Sequence, residues 1–171
     1  YPETFHHSIW AALASGAALT PAEWNSGGSW GEMTSEMYAD TQRLAQFVAD
    51  IPLAWWNPAA LQIASGDPQV RAWGVAGEQG GLFWAQDFSL EGKTIQEMRA
   101  GKTERTGVVL AIEGLAAGTY TLLPYDTWQG VYLDAFEVVC AAGEACQIPL
   151  PAFTWRSFRR DLERHIRAER R

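Results

Sequence analysis

The sequence lacks most of what would tie a chain to a membrane, to nucleic acid or to a nucleotide cofactor. None of its 171 residues falls in a run apolar and long enough to cross a bilayer as a helix. Phosphate-loop and dinucleotide fingerprints are absent. The Gly-x-x-Gly in GEQGG lies between two strand-like runs with no helix behind it to receive a phosphate. Ser15, Ser26 and Ser29 stand near glycines, but no Gly-x-Ser-x-Gly elbow is present, which argues against an α/β-hydrolase. There are no internal repeats and no low-complexity segments. The chain opens at Tyr1 with no initiator Met and no signal-like segment, so a mature or excised product is expected.

Basic residues are scarce over most of the chain. The formal net charge is -7, but it is unevenly shared. Residues 1–155 hold six basic and seventeen acidic side chains, whereas seven Arg from Arg156 onward face only Asp161, Glu163 and Glu169. An acidic body argues against a nucleic-acid surface, because phosphate binding needs clustered Lys and Arg. In the basic tail the acids are interspersed, and Phe158, Leu162 and Ile166 recur at i, i+4 and i+8. That spacing predicts an amphipathic closing helix over 156–171, docked on the body, with a Glu163/Arg167 pair on its surface.

Tryptophan, by contrast, is abundant, with nine residues. Most are expected to pack, but the flat apolar face of the indole also suits sugar rings, so the excess points toward carbohydrate. Only two cysteines are present, Cys140 and Cys146, between the strand-like runs AFEVV and QIPL. This places them opposite each other across a hairpin, where a disulfide can form; two free thiols are the alternative. A bridge would imply a secreted protein.

The chain reads as α+β in three parts plus a tail. Residues 1–52 are helix, short strand, Gly/Ser-rich loop and helix. The first helix has Phe5, Ile9, Ala12 and Leu13 at helical spacing and stops at Ser15-Gly16. Leu19 to Trp24 is extended, with Pro21 inside it, and NSGGSWG follows with Trp30. The second helix is capped by Thr34 or Ser35, carries Glu36 in its first turn, shows Met37, Leu44, Val48 and Ile51 on one face and ends before Pro52. Residues 53–70, with Trp55-Trp56 and the turn signals Asn57-Pro58 and Gly66-Asp67-Pro68, read as a stiff linker.

Residues 71–155 switch to strand periodicity. Arg71–Ala76 and Gly81–Phe88 form a hairpin, followed by strands at Gly107–Glu113, Thr119–Pro124, Val131–Val139 and Gln147–Leu150. A polar loop is expected over 91–106, with a helical turn at Ile95–Met98. Short strands with turn signals at this spacing predict an antiparallel β-sandwich. In PYDTWQG, Asp126 is expected to cap a turn and Trp128 to pack. His6 and His7 invite a metal reading, but neighbours diverge on a helix and no third ligand is near in sequence. A packed or capping role is expected, with no metal and no cofactor.

The run HHSIWAALASGAALTPAEW resembles a segment commonly of the form His-Asn-x-Leu-Trp-x-x-Leu-x-Ser-Gly-Ala-Ala-Gly. That segment forms the last helix and strand of retaining, cellulase-like glycoside hydrolases built on a (β/α)8 barrel. GLAAGTYTLLPYDTWQG, IPLPAF and RRDLERHI resemble the small β-sandwich, closing strand and helix that follow the barrel in bacterial members. The chain departs from the pattern at His7, where Asn is usual, at Leu19, where Gly is frequent, and at Trp24-Asn25, which replaces a longer Trp cluster.

The resemblance implies that 1–52 is the terminal piece of a barrel, 71–155 its sandwich, and the whole the C-terminal portion of a secreted bacterial glycosidase. Its two catalytic glutamates, about 5–5.5 Å apart in retaining enzymes, would then lie upstream, because the fourth barrel strand is missing; Glu3 is the one conceivable in-chain nucleophile. Trp24 would be a platform under a sugar ring, Glu23 and Asn25 would bond sugar hydroxyls, and Trp30 would close over the site. Carbohydrate and the N-terminal barrel fragment are the implied partners. Physically, a lone helix-strand-helix piece leaves Phe5, Ile9, Leu13, Leu44, Val48 and Ile51 in need of a covering surface. The alternative is a non-catalytic β-sandwich that binds polysaccharide or braces a partner.

Overall fold

The computed structural model describes residues 2–17, 33–49, 51–89, 92–94, 96–97, 104–154 and 162–167. Within them the chain is α+β, with three helices and antiparallel sheets. Helix α1, Pro2–Ala14, ends as its sequence requires. Gly16 adopts φ 74°, and the Ala17 and Gly16 N–H groups donate back to the Ala12 and Leu13 carbonyls, each at 3.0 Å. This pair of bonds satisfies carbonyls that a helix end otherwise leaves open, and glycine takes the left-handed conformation without a Cβ penalty. Helix α2, Ser35–Ala49, starts where Thr34 Oγ1 accepts from the Met37 N–H at 3.3 Å. The expected strand over Leu19 to Trp24 lies outside the described residues.

The stretch expected to be a linker is structured instead. Helix α3, Leu53–Trp56, gives way at Asn57, which sits at φ 45°, ψ 57°. Strand β1, Ala59–Ala60, then pairs with β3, Val70–Ala76, while β2, Gln62–Ser65, pairs with β6, Val109–Glu113. Residues 53–70 therefore cross from one sheet to another. Their turn signals are real, but the intervening Leu61 and Ile63 are packed against the core rather than spanning open solvent.

The large sheet runs β1-β3-β4-β12-β7-β8, with β9 also on β7. Strand β4 is Gly80–Asp87, β7 Gly118–Asp126, β8 Val131–Tyr132, β9 Phe136–Cys140 and β12 Leu162–Arg167. The expected β3/β4 hairpin is present, pairing Trp73 with Trp84. The expected single strand over Val131–Val139 is divided in two, its halves pairing with different ends of β7.

The closing helix is corrected outright. Residues 162–167 form a strand between β4 and β7, with His165 opposite Leu82 on one side and Leu123 on the other. Leu162 and Ile166 are four apart, a spacing that fits a helix and also fits the two-residue period of a strand. What decides is the gap between β4 and β7, whose backbone N–H and C=O groups need partners. The helical spacing expected to pair Glu163 with Arg167 is absent from the backbone, since four residues along a strand span about 13 Å.

Both faces of the large sheet are covered, which is why β4 is buried almost throughout and reads as a continuous apolar run. On one face Val70, Phe83, Ala85, Tyr120 and Leu122 share a core with a smaller sheet, β10-β6-β2, through Leu110, Ile112 and Ile148. Strand β10 is Cys146–Pro149. A further pair, β5 (Glu104–Arg105) with β11 (Phe153–Thr154), brings Phe153 into the same core.

On the opposite face, Val75, Leu82, Trp84 and Tyr125 pack against Phe5, Ile9 and Trp10 of α1 and Met37, Leu44 and Phe47 of α2. The helices' apolar face, expected to be uncovered, is thus covered by the chain's own sheet. The reason lies in β4, whose odd and even positions are both apolar.

The Cys140–Cys146 disulfide forms, with Cα atoms 4.8 Å apart. It does not cross a hairpin: Cys140 closes β9 in the large sheet and Cys146 opens β10 in the small one, so the bridge stitches the two sheets together. Constraining this short loop in the unfolded chain stabilises the fold by about 2 kcal/mol on the loop-entropy relation. Urea unfolding with and without a thiol reductant, or of the Cys140→Ser/Cys146→Ser variant, should show that loss; an unchanged midpoint would remove the bridge from the list of stabilising elements.

Candidate functional site

A buried polar constellation is built where α1, α2 and the turn after β7 meet. Asp126, the last residue of β7, caps that turn as expected: its Oδ1 accepts from the Trp128 and Gln129 N–H groups at 3.0 and 2.9 Å. This fixes Thr127 and Trp128 over the N-terminal half of α1. His6 Nδ1 lies 2.9 Å from Asp40 Oδ1, and His6 Nε2 lies 3.0 Å from Thr127 Oγ1. Arg43, one turn further along α2, donates to the same Asp40 oxygen at 2.6 Å. The Trp128 ring stacks on the His6 ring, centroids 3.6 Å apart and planes 11° from parallel.

These partners define the imidazole. A carboxylate only accepts, so Nδ1 carries a proton and donates to Asp40. The Thr127 hydroxyl can donate or accept, and it is burial that favours the neutral ring, in which Nε2 accepts from Thr127. Burial lowers the His6 pKa below its ordinary value, against the opposing pull of Asp40, and Arg43 adds to the lowering. His7 is held lower still, first by burial and then by the neighbouring His6.

An acid, an imidazole and a hydroxyl in hydrogen-bond sequence have the connectivity of a nucleophilic triad. Access decides against that chemistry. His6, Asp40 and Thr127 are all at most 1 % exposed, and the indole of Trp128 covers the ring, so no reacting atom can reach the hydroxyl. The constellation is a clamp. Hydrogen bonds to charged groups contribute roughly 1.5–3 kcal/mol each, enough to lock two helices onto a turn. Around it, Trp10, Phe47 and Tyr125 form an aromatic cluster with centroids 4.9–6.0 Å apart.

Both histidines are thus packed, the role expected of them, and among the described residues no group of three His, Cys, Asp or Glu could hold a metal ion. Glu3 lies in the first turn of α1 and is 1 % exposed. Trp24, Glu23, Asn25 and Trp30 lie outside the described residues.

Sequence reasoning missed the partnership of His6, Asp40 and Thr127. One signal was available: Asp40 sits on the apolar stripe of α2, in register with Met37, Leu44 and Phe47, where an acid is out of place unless it is paired. No protein family, curated protein or solved structure matches the chain.

A histidine whose folded pKa lies below its unfolded value binds its proton more weakly in the fold. The stability contributed by neutral His6 and His7 is complete above about pH 6.5 and is lost as the pH falls below it. Urea midpoints should therefore drop between pH 7.5 and pH 5.5. At pH 7.5, Thr127→Val should cost about 1–2 kcal/mol by stranding the buried Nε2 acceptor. A flat pH profile together with a neutral Thr127→Val would contradict the clamp.

Proposed function

We propose that this chain is the C-terminal portion of a secreted retaining glycoside hydrolase, acting on O-glycosidic bonds in an oligo- or polysaccharide. In this reading the catalytic carboxylates lie on preceding polypeptide. One protonates the leaving oxygen and the other attacks the anomeric carbon to form a glycosyl-enzyme that water then releases. The chain's own part is to supply the last barrel segment, with Trp24 as platform, Glu23 and Asn25 bonding hydroxyls and Trp30 closing over them. Two antiparallel sheets that share a core support this reading, since the resemblance calls for a sandwich after the barrel, and the disulfide accords with an oxidising compartment.

The observation that carries this reading is the outward face of α1. Its one charged side chain, Glu3, is buried, and the face turned away from the sheet carries Thr4, Ser8, Ala12 and Ser15. A helix lying on a protein surface ordinarily turns charged or long polar side chains to water, as α2 does with Glu36, Gln42 and Gln46. Small uncharged side chains suit a second packed layer, such as the neighbouring helix of a barrel.

A second reading has its own support. Because the apolar face of both helices is covered by the large sheet, the chain has the means to fold alone as a polysaccharide-binding or bracing module. Intact-mass analysis of native material with size exclusion separates the two. The hydrolase reading expects residues 1–171 joined to, or co-eluting with, a larger polypeptide that holds a carboxylate pair and releases reducing sugar from a glycan. A compact monomer of 18.9 kDa without hydrolytic activity would favour the module instead.

A further inference from the structure

At the far end of the large sheet from the His6 clamp, three connections converge on a groove of about 680 Å3. Its walls are the α3-to-β1 segment, the β3–β4 turn and the β6–β7 turn, with Tyr120 at the base. Trp55 stands on its rim with 82 % of its surface in water, beside Trp56, which is buried in the core. An indole left this open forgoes a large burial gain unless something covers it.

The frame that carries Trp55 is stiff. Asn57 holds a left-handed φ of 45°, a conformation non-glycine residues seldom adopt and one that concentrates at ligand clamps. Gly77 of the β3–β4 turn is pressed so close that a Cβ there would lie 1.8 Å from the Trp56 carbonyl oxygen. The turn itself is closed by the Gly77 N–H donating to the Gly80 carbonyl at 2.8 Å. The Tyr120 hydroxyl donates to the Ala116 carbonyl at 2.7 Å, tying the third wall to the base.

The lining selects the chemistry of what fits. Beside the indole it offers the amides of Asn57 and Gln79 and the carboxylates of Glu78 and Glu113, and it contains no Lys, Arg or His. Anionic ligands are repelled by the two carboxylates. A purely apolar ligand would bury those groups without partners, at a cost of about 1–3 kcal/mol each. Of the three aromatic residues along it only Trp55 exposes its ring, Trp56 and Tyr120 being buried, so the aromatic cage that quaternary ammonium recognition uses is not formed. The complementary ligand has an apolar face of C–H groups for the indole and an edge of hydroxyls for the carboxylates and amides.

We propose that this groove is a binding subsite for a neutral glycan chain, with Trp55 as its stacking platform and Gln79, Glu78 and Glu113 as its hydroxyl acceptors and donors. The subsite is remote in sequence from Trp24 and Trp30 and does not depend on the hydrolase reading. It would serve a catalytic chain by holding polymer and a stand-alone module by being its function.

The test is affinity electrophoresis of the native protein through gels containing, in turn, soluble β-glucan, xylan, mannan, arabinan and starch, with Trp55→Ala and Gln79→Ala run alongside. The expected result is retardation in at least one neutral polysaccharide, weakened at least tenfold by Trp55→Ala and less by Gln79→Ala. Both variants should keep the wild-type melting temperature, because both side chains are exposed. Hydrolysis of a small soluble substrate, if the native protein shows it, should be unchanged in Trp55→Ala, so failure of the subsite and failure of the hydrolase reading are separable. Retardation by none of the polymers, equal retardation of wild type and Trp55→Ala, or indole fluorescence quenched by spermine but not by any oligosaccharide would each overturn the proposal.

Discussion

The buried imidazole of His6 holds together three pieces of chain that are far apart in sequence. It belongs to α1, donates to Asp40 of α2 and accepts from Thr127 after β7. Apolar packing on its own would bring helices and sheet together, but hydrophobic contact is non-directional and leaves their relative orientation loosely set. A neutral ring with one donor and one acceptor, both satisfied inside the protein, sets that orientation. The aromatic cluster of Trp10, Phe47 and Tyr125 then packs in a single way around it.

The β portion is organised by a different constraint. Strand β12 comes from the end of the described chain yet fills the middle of the large sheet, between β4 and β7. Two sheet edges that would otherwise present rows of unpaired backbone groups are satisfied by one strand. Such late, non-local pairing is slow to form because the loop it closes is long. The disulfide between β9 and β10 works at the other extreme, joining the two sheets across a separation of six residues.

Much of this was legible from the residues alone where local signals and tertiary demand agree. Ser15-Gly16 stops α1, Thr34 caps α2, and the alternation around GEQGG gives the β3/β4 hairpin, because each depends on neighbours in sequence. Leu162 and Ile166 were misread because their spacing fits two periods and the gap in the sheet that chooses between them is made by residues about forty and about eighty positions away. The stretch 53–70 looked like a linker for the same reason: its turns are local, its strand partners are not. In the candidate site, the packing of His6 and His7 and the Asp126 cap were readable. The clamp itself was not, since it joins residues 34 and 121 positions apart.

The central claim is that α1 is one cooperative unit with the large sheet, fixed there by His6. Native-state hydrogen exchange of the α1 amides measures this most directly. The account predicts that the amides of Ile9 to Leu13 exchange only with global unfolding, at the same free energy as those of Leu82 to Trp84 in β4. Exchange from α1 orders of magnitude faster than from β4, with the sheet still protected, would show a helix merely resting on the sheet and would contradict the account.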